Sequence, residues 1–470
     1  MNYAGKHTIV VGLGDTGLSA ARWLAARNAR VTVADSRTAP PNVDALKAAV
    51  PQAELRLGAF SAHTFIDADL LVVSPGVALA TPAVAATVQR GVPAVGDVEL
   101  FAREIAARRA AGRAVKVIAI TGSNGKSTVT TMVGKMCEAA GLKTVVAGNI
   151  GLPVLDALGD PKTKTADVYV LELSSFQLET TGSLAADAAT VLNVSEDHLD
   201  RYDGMKGYAA AKARIFSGSG AQVLNREDDY SRDMGLPGRH VIRFGQDAPR
   251  RADEYGLVAA GKDIELRLGE TVLMRADDLP IAGLHNAVNA LSAIALCRAI
   301  GLPLPPLVAA LKAFKGLPHR VEFVASRHGV DYYDDSKGTN VGATEAALKG
   351  MTRPVVLIAG GDGKGQDFTP LLPACERICR AVLLIGRDGP QIAEVLAEAH
   401  STYIADDGDG ENFLPVLELP TLDMAVQMAA NLAESGDVVL LSPACASLDM
   451  FRNYHHRAEV FIDAVKALPA

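Results

Sequence analysis

The chain has 470 residues, of which 49% are hydrophobic and only 5% aromatic, so it can fill several ordinary cores built mainly from Ala, Val, Leu and Ile. At roughly 100–200 residues per domain, that length predicts about three domains. Lys plus Arg total 46 against 54 Asp plus Glu, and the formal net charge of −8 excludes bulk attraction to nucleic acid or anionic membranes while leaving room for local basic pockets.

The opening MNYAGKHTIVVGLG runs straight into an apolar strand at 7–11, with no separate basic segment, apolar segment and cleavage site. No signal peptide is therefore expected. The strand turns at Gly12, and Gly12, Gly14 and Gly17 spell G-x-G-x-x-G, with Asp35 at the end of the next strand, 31–34. This pattern reads three ways: a dinucleotide fingerprint, a tight turn with no ligand, or a site for a nucleotide other than NAD. The turn itself does not choose. Residues 70–88 carry no charge, but Pro75, Gly76 and Pro82 divide them into a strand at 70–73, a turn and a helix start, so a membrane span is rejected. A charged, Ala-rich helix and linker follow at 101–113.

The second block opens with a strand at 117–120 and the run VIAITGSNGKST. Gly122 and Gly125 let the backbone bend so that several N–H groups face one anion, and the helix that begins near Lys126 adds its positive end. Lys126 supplies a mobile charge for the outer phosphates, and Ser127 or Thr128 a hydroxyl for Mg²⁺. The loop is shorter than the usual phosphate loop: Gly122 stands three residues before Gly125, and the usual first glycine position holds Ile120. Further on, VYVLELSSFQLE places Glu172 at the end of a strand expected beside the phosphate-loop strand, where a carboxylate can hold Mg²⁺. Another strand ends in TVLNVSEDH, whose turn carries Asn193, Asp197 and His198; parallel sheets collect such turns at the carboxyl edge, where ligands bind. Lys212, in YAAAKARIF, reads on composition as an exposed helix lysine. Period-two alternation at 255–275 predicts a small antiparallel hairpin.

The third block starts near 317–320, after a helical stretch at 307–314, with strands expected at 355–359, 382–385 and 438–441. Alternating strands and helices imply parallel, doubly wound sheets. The five cysteines, Cys137, Cys297, Cys375, Cys379 and Cys445, are odd in number and lack metal-site partners, with Cys375 and Cys379 expected on one helix. They read as small buried residues of a protein from a reducing compartment. ADDGDGEN at 405–412 is acidic without the spacing of a calcium loop and reads as a solvated surface loop.

Taken together, TGSNGKST, GNIG at 148–151, ELSSFQLE, NVSEDHLDRY, the AAAK of Lys212, GLHNAVNAL, GLPHR and DDSKGTN resemble the Mur ligase family in order and spacing, across essentially the whole chain. GLGDTGLSAARWL, DDSKGTN and LSPACASLDMFRNYHHR bring it nearest to the members that add D-glutamate. The resemblance implies an α/β protein of three domains. These are a Rossmann-like UDP-binding domain at 1–111, a central P-loop-type ATPase at 112–316 with a parallel sheet plus a small antiparallel sheet, and a Rossmann-like C-terminal domain at 317–470 that binds the amino acid and closes the site. It implies cytoplasmic, ATP-dependent coupling of D-glutamate to UDP-MurNAc-L-Ala in peptidoglycan synthesis, through an acyl phosphate, by a monomer with no nucleic-acid partner and no membrane insertion.

The resemblance also implies roles for residues. Leu13, Gly14, Asp15, Thr16, Gly17, Asp35, Ser36, Arg37, Ser74 and Gly76 would hold the UDP moiety, with Asn149, Ser174 and His198 positioning the sugar-peptide or its metal. Gly122, Asn124, Gly125, Lys126, Ser127, Thr128, Asn286, Asn289, Arg320, Asp335 and Lys337 would surround ATP. Thr339, Lys364, Ser442 and Phe451 would contact D-glutamate. Two Mg²⁺ ions are expected on Ser127, Glu172, His198 and Lys212, the last as an N-carboxylated lysine, and Lys126, His198 and Lys212 would be catalytic. The acidic 405–412 stretch has no place in the shared motifs. The competing readings are another Mur-type or folate-type amino-acid ligase, a catalytically inert nucleotide-binding module, and an NAD-dependent oxidoreductase. The last leaves TGSNGKST, Glu172 and DDSKGTN without a role.

Overall fold

The computed structural model describes residues 2–197, 201–281, 283–404 and 414–469. His198 and the acidic 405–412 stretch lie outside the described residues. The first sheet contains β1 (His7–Val11), β2 (Arg30–Asp35), β3 (Glu54–Leu57), β4 (Leu70–Val73) and β5 (Ala94–Val95), all parallel, in the order β3-β2-β1-β4-β5. Every residue of β1 is buried, as expected of a strand covered on both faces. One cover is the helix Asp15–Ala25, which turns Leu18, Trp23 and Leu24 inward; Phe65 and Val84 pack on the opposite face. The chain leaves β1 in both directions, so a crevice opens beyond its carboxyl end.

The second sheet comprises β6 (Lys116–Thr121), β7 (Thr144–Gly148), β8 (Val168–Glu172), β9 (Ala188–Val191), β10 (Ala221–Asn225), β11 (Val241–Phe244), β12 (Tyr255–Ala260), β13 (Asp263–Leu268) and β14 (Thr271–Arg275). Its order is β14-β13-β12-β11-β10-β9-β6-β8-β7. Strand β6 lies between β8 and β9, with Ile120 opposite both Glu172 and Thr190. The ends of all three strands therefore meet at one edge. The antiparallel part is a three-stranded meander rather than the expected hairpin. Gly261 (φ +66°) and Gly269 (φ +53°) each make a tight turn that a β-branched residue could not adopt cheaply. The meander continues the parallel sheet through the pair Phe244 and Tyr255. Helices Lys126–Ala139, Leu284–Ala299 and Leu304–Lys312 cover this sheet with a core of Val, Leu, Ile, Ala and Met side chains.

The third sheet, of β15 (Glu322–Arg327), β16 (Val330–Asp334), β17 (Val355–Gly360), β18 (Cys379–Ile385), β19 (Val416–Glu418) and β20 (Val438–Leu441), has the order β15-β16-β20-β17-β18-β19. It departs from the expected purely parallel block because β15 and β16 form an antiparallel hairpin at one edge. Strand β15 is only partly buried and charged at both ends, which hides it from a search for apolar runs. Residues 317–320 precede this strand rather than forming it. Cys375 sits on the helix Leu372–Ile378, whereas Cys379 opens β18, so the two do not share a helix; all five cysteines are free.

The helix Asp97–Ala110 links the first two sheets and is fastened to the second. Glu99 accepts the Gly182 and Ser183 N–H groups at 2.8 and 2.9 Å, Phe101 meets Tyr169 edge-on, and Arg109 pairs with Asp187. It is tied back to the first unit by the ion pair of Glu104 with Arg27 at 3.1 Å, among other contacts. Among the described residues no helix is long and apolar enough to cross a membrane.

Candidate active site between the three sheets

Strand β6 ends at Thr121, and the chain bends through Gly122 (φ +156°) and Gly125 (φ +80°) into the helix that starts at Lys126. A Cβ on Gly125 would lie 2.7 Å from Asn289 Oδ1, so both conformation and space require glycine there. The turn that follows β9 braces the loop. Asn193 Oδ1 accepts the Asn124 N–H at 2.8 Å, its Nδ2 donates to Asn124 O at 3.1 Å, and its carbonyl accepts the Ser123 N–H at 2.9 Å. Asn193 thus acts as a scaffold for the loop. A helix start of this kind leaves its first N–H groups without partners inside the helix, which suits it to an anion.

Cations converge on this loop from three elements. Lys126 Nζ donates to the carbonyls of Gly122 and Ser123, both at 2.9 Å. Lys212 reaches the same Gly122 carbonyl at 2.9 Å from its own helix and is 1% exposed, so its reading as a solvated helix lysine is corrected. The context of small Ala neighbours that looked like a surface helix instead lets that helix approach the loop. From the third unit, Arg320 Nη2 and Lys337 Nζ donate to Ser127 Oγ at 3.3 and 3.2 Å, and Asn340 Nδ2 donates to Asn124 Oδ1 at 3.2 Å. The third unit is thereby closed on the second.

Burial pulls the pKa of Lys126 down, against the pull of Glu172 and Asp197. Burial, then the charge of Lys126, pushes Lys212 well below the ordinary lysine value. Lys337 falls to about 8, through burial and then Arg320. Asp335 rises to about 7 because it is buried, against a hydrogen bond from Ser442 and the charge of Arg320. Across the loop, Glu172 Oε1 accepts Asn149 Nδ2 at 2.7 Å, while Oε2 is buried without a hydrogen-bond partner among the described residues. A buried group of cations with few counter-charges is costly unless an anion completes it. A polyphosphate would supply that anion, and a divalent metal would satisfy the orphaned Glu172 oxygen.

Two cavities lie near this cluster, the larger sharing Asn149, the partner of Glu172, and the smaller lined by Asn124 and Gly125 of the loop itself. A cavity of about 630 Å³ lies between the first and second sheets and is lined by Gly14, Asp15, Thr16, Asp35, Ser36 and Arg37. Ser74, Gly76 and Asn149 complete the part of its wall anticipated from the sequence. Leu13, Gly17 and Ser174 stand behind that wall. Leu13 N donates to Asp35 Oδ2 at 2.7 Å, and a Cβ on Gly17 would fall 1.9 Å from the Gly12 carbonyl oxygen. Ser174 caps the helix Ser175–Glu179 through a reciprocal box with Gln177. Asp35 spends both oxygens inside the protein, on Leu13 N and on a two-pronged pair with Arg37, and that pairing holds its pKa at about 2. Its exposed partner Arg37 is therefore the charged group of this pair that the cavity presents. Gln177 and Phe60 also line the cavity and were not singled out from the sequence; the S-x-x-Q spacing of a capping box at 174–177 was the available signal for Gln177.

A smaller cavity, about 80 Å³, lies between the second and third sheets. Asn124, Gly125, Thr128, Asn286, Asn289, Arg320 and Asp335, all named from the sequence as ATP contacts, are brought together in its wall. His285, not anticipated as a site residue, lines it too. Burial, then Arg320, lowers its pKa to about 4, and its Nδ1 is buried with no hydrogen-bond partner among the described residues. The four residues anticipated at the amino acid are less convergent. Ser442 is fully buried and donates to Asp335 Oδ2 at 2.7 Å, so its hydroxyl faces the interior in this arrangement. Thr339 follows Lys337, Lys364 occupies the loop after β17 at φ +53°, and the half-buried Phe451 packs edge-on to His456. None of the four lines either described cavity.

Comparisons with known proteins agree with this geometry. Three family models match in succession: the Mur ligase MurD-like N-terminal domain at 6–96, the Mur ligase middle domain at 120–297 and the Mur ligase glutamate ligase domain at 319–445. A UDP-N-acetylmuramoylalanine--D-glutamate ligase from Methylobacillus flagellatus is 58% identical over 463 residues, covering 98% of this chain and 97% of the relative. The protein of the same name from Thiobacillus denitrificans is 57% identical, covering 100% and 99%. Among solved structures, UDP-N-acetylmuramate-alanine ligase MurC from Thermotoga maritima superposes with a TM-score of 0.58 at 18% identity, over 98% of this chain and 99% of the other, and so shares the fold. With a glycine turn in the second of three matched units, braced by the carboxyl edge of its sheet and met by cations of the third, this chain belongs to the Mur ligase family.

Proposed function

We propose that the protein is an ATP-dependent ligase that joins D-glutamate to UDP-N-acetylmuramoyl-L-alanine, forming a peptidoglycan precursor. The observation that carries the reading is the closed ring of Lys126, Lys212, Arg320 and Lys337 around one phosphate-type turn, opposite the orphaned oxygen of Glu172. It is supported by relatives of 50–58% identity over essentially the full chain that carry this ligase's name. The units 1–111, 112–316 and 317–470 are assigned to UDP binding, ATP chemistry, and amino-acid binding with closure, respectively.

In this reading a carboxylate oxygen of the L-alanyl group attacks the γ-phosphorus, the bond to the β-phosphate oxygen breaks, and ADP leaves. The D-glutamate amine then attacks the acyl carbon, loses a proton, and phosphate departs. The chain's residues must hold two anionic reactants together. The N–H groups after Gly125, with Lys126, take the outer phosphates, while Arg320 and Lys337 bring charge from the closing unit. Ser127, Glu172, His198 and a carboxylated Lys212 would hold Mg²⁺, which supplies charge neutralisation and a template for phosphoryl transfer. Lys212 suits that modification: burial and Lys126 favour its neutral amine, which adds to CO₂ with loss of a proton to give a carbamate. The resulting anion would relieve the crowding of Lys212 and Lys126 at one carbonyl.

The larger cavity, with Arg37 at its mouth, is assigned to the UDP-sugar and the smaller one to the nucleoside of ATP. Thr339, Lys364, Ser442 and Phe451 are assigned to D-glutamate; for Ser442 this requires its hydroxyl to exchange partners when the amino acid arrives. Closure of the third unit keeps water from the acyl phosphate. The proposal takes the protein to act as a monomer in the cytoplasm. Phosphate release with UDP-N-acetylmuramoyl-L-alanine across a panel of D- and L-amino acids tests the reading. Strict dependence on D-glutamate is expected, and a preference for another amino acid would overturn it.

A further inference from the structure

Arg201 joins two parts of the site that share no strand. Its side chain is 15% exposed. Nη1 donates to the Pro75 carbonyl at 2.7 Å and Nη2 to the Val77 carbonyl at 3.5 Å, and both residues form the wall of the larger cavity. On the other side Nη2 pairs with Glu179 at 2.9 Å, and the guanidinium lies 4.1 Å over the Phe176 ring, both on the helix Ser175–Glu179 that follows Glu172. Aromatic contacts continue inward from there. Phe176 stacks with Tyr202, with centroids 6.0 Å apart, and Tyr202 meets Tyr208 at 5.2 Å. The Tyr208 ring lies 4.3 Å beneath Lys212 Nζ, and its hydroxyl is 3.4 Å from Ser123 of the phosphate loop.

We propose that Arg201 is a positioning residue which, through Phe176, Tyr202 and Tyr208, couples occupancy of the UDP-sugar cavity to the arrangement of Lys212 and the phosphate loop; this rests on the assignment of the two cavities above. A planar guanidinium suits the task. It grips two backbone carbonyls and a carboxylate in its plane while offering its face to a ring, which an ammonium cannot do. The carbonyls of Pro75 and Val77 belong to the loop that a bound UDP-sugar would order. When that loop is fixed, Arg201 is fixed, and the ring stack beneath it has one arrangement rather than several. The stack ends on the group that bonds Gly122, so the turn that receives ATP is shaped by the neighbouring ligand. Arg201 touches neither ligand site directly, and its effect is a coupling free energy rather than a contact.

The test is a binding cycle on the full-length protein. The affinity of a non-hydrolysable ATP analogue with Mg²⁺ is measured with and without UDP-N-acetylmuramoyl-L-alanine, in wild type, Arg201→Met, Arg201→Lys and Phe176→Leu. Wild type is expected to show positive coupling of about 5–100-fold. Arg201→Met and Phe176→Leu should bring the coupling to within about twofold of none while each ligand alone binds within about threefold of wild type, and Arg201→Lys should restore part of it. In turnover the same loss appears as an ATP KM that no longer falls with UDP-substrate concentration, with kcat reduced less than KM is raised. Retained coupling in both Arg201→Met and Phe176→Leu, or equal weakening of both ligands alone with coupling intact, overturns the proposal. If Arg201→Met fails to fold, Phe176→Leu decides the question. Wild type that binds neither ligand would overturn the functional reading as well, whereas binding of both without coupling overturns only this inference.

Discussion

The chain contains two glycine turns between a strand and a helix, and they differ in what surrounds them. After β1, Gly12, Gly14 and Gly17 bend the backbone beside Asp35, whose carboxylate is consumed by Leu13 N and Arg37. After β6, Gly122 and Gly125 bend it among Lys126, Lys212, Arg320 and Lys337. The backbone device is the same, and the helix end behind it is electropositive in both. The charge brought by other elements sets them apart. One turn faces a cavity of about 630 Å³ whose wall carries one arginine among neutral polar groups, Asp15 and Asp35; the other is surrounded by four cations against fewer carboxylates, Glu172 and Asp335 among them. A glycine signature therefore reports a place for the backbone to approach a ligand, and the ligand's charge is read from residues far away in sequence.

Removing the cation at the centre of the second turn should give the largest separation of the two. Lys126→Ala is expected to lower ADP release on the order of 1000-fold, since it deletes both a charge and the groups' common organiser. UDP-substrate binding, measured by calorimetry, should stay within about threefold of wild type, because the first turn is untouched. Comparable loss at both sites would mean that the two turns do not serve separate ligands.

Lys212→Ala tests whether the enclosure needs an anion of its own. Activity should fall on the order of 100-fold and return in part with added short carboxylic acids, which can occupy the vacated space and carry the charge a carbamate would have. A fully active variant would remove the carbamate from the account.

At the first turn, Asp35→Ala leaves the Leu13 N–H and the Arg37 guanidinium without their acceptor. Charge-assisted hydrogen bonds are worth about 1.5–3 kcal/mol each, so UDP-substrate affinity should drop about 10–100-fold through loss of the turn's shape, with ATP-analogue binding nearly unchanged. Equal effects on the two ligands would contradict the division between the cavities.

Much of this was legible in the sequence, for identifiable reasons. The second turn and Glu172 could be placed because each sits at the end of an apolar run, and parallel strands bring such ends together. The nature of the first turn was not legible, since G-x-G-x-x-G describes a backbone path and Arg37 gives no sign in sequence that it will neutralise Asp35. Lys212 was misread on composition because burial at 1% exposure arises from the approach of its helix to Gly122, a contact 90 residues away in sequence. His285 and Arg201 were passed over because part of what surrounds them comes from other units, Arg320 beside His285 and the Pro75 and Val77 carbonyls beside Arg201. The β15–β16 hairpin escaped because edge strands exposed to water lose the apolar alternation that marks a strand.

The smallest expected effect concerns pH and distinguishes the two turns without deleting either. Lys337 has its pKa drawn from the ordinary 10.5 to about 8 by burial and Arg320. In the ligand-free protein it sheds its proton as pH rises through about 8, so nucleotide affinity should decline about threefold to tenfold between pH 7.5 and 9. Stability moves the other way: between about 8 and 10.5 the unfolded chain keeps a proton that the folded one has released, so this group's contribution to folding rises with pH. Lys337→Arg keeps the charge throughout and should flatten the affinity profile. Binding at the first turn, which relies on Arg37 and an Asp35 held at about 2, should be level over the same range in both proteins. A parallel decline at both sites would show that the titrating group is shared, and the separation of the two turns by charge would fail.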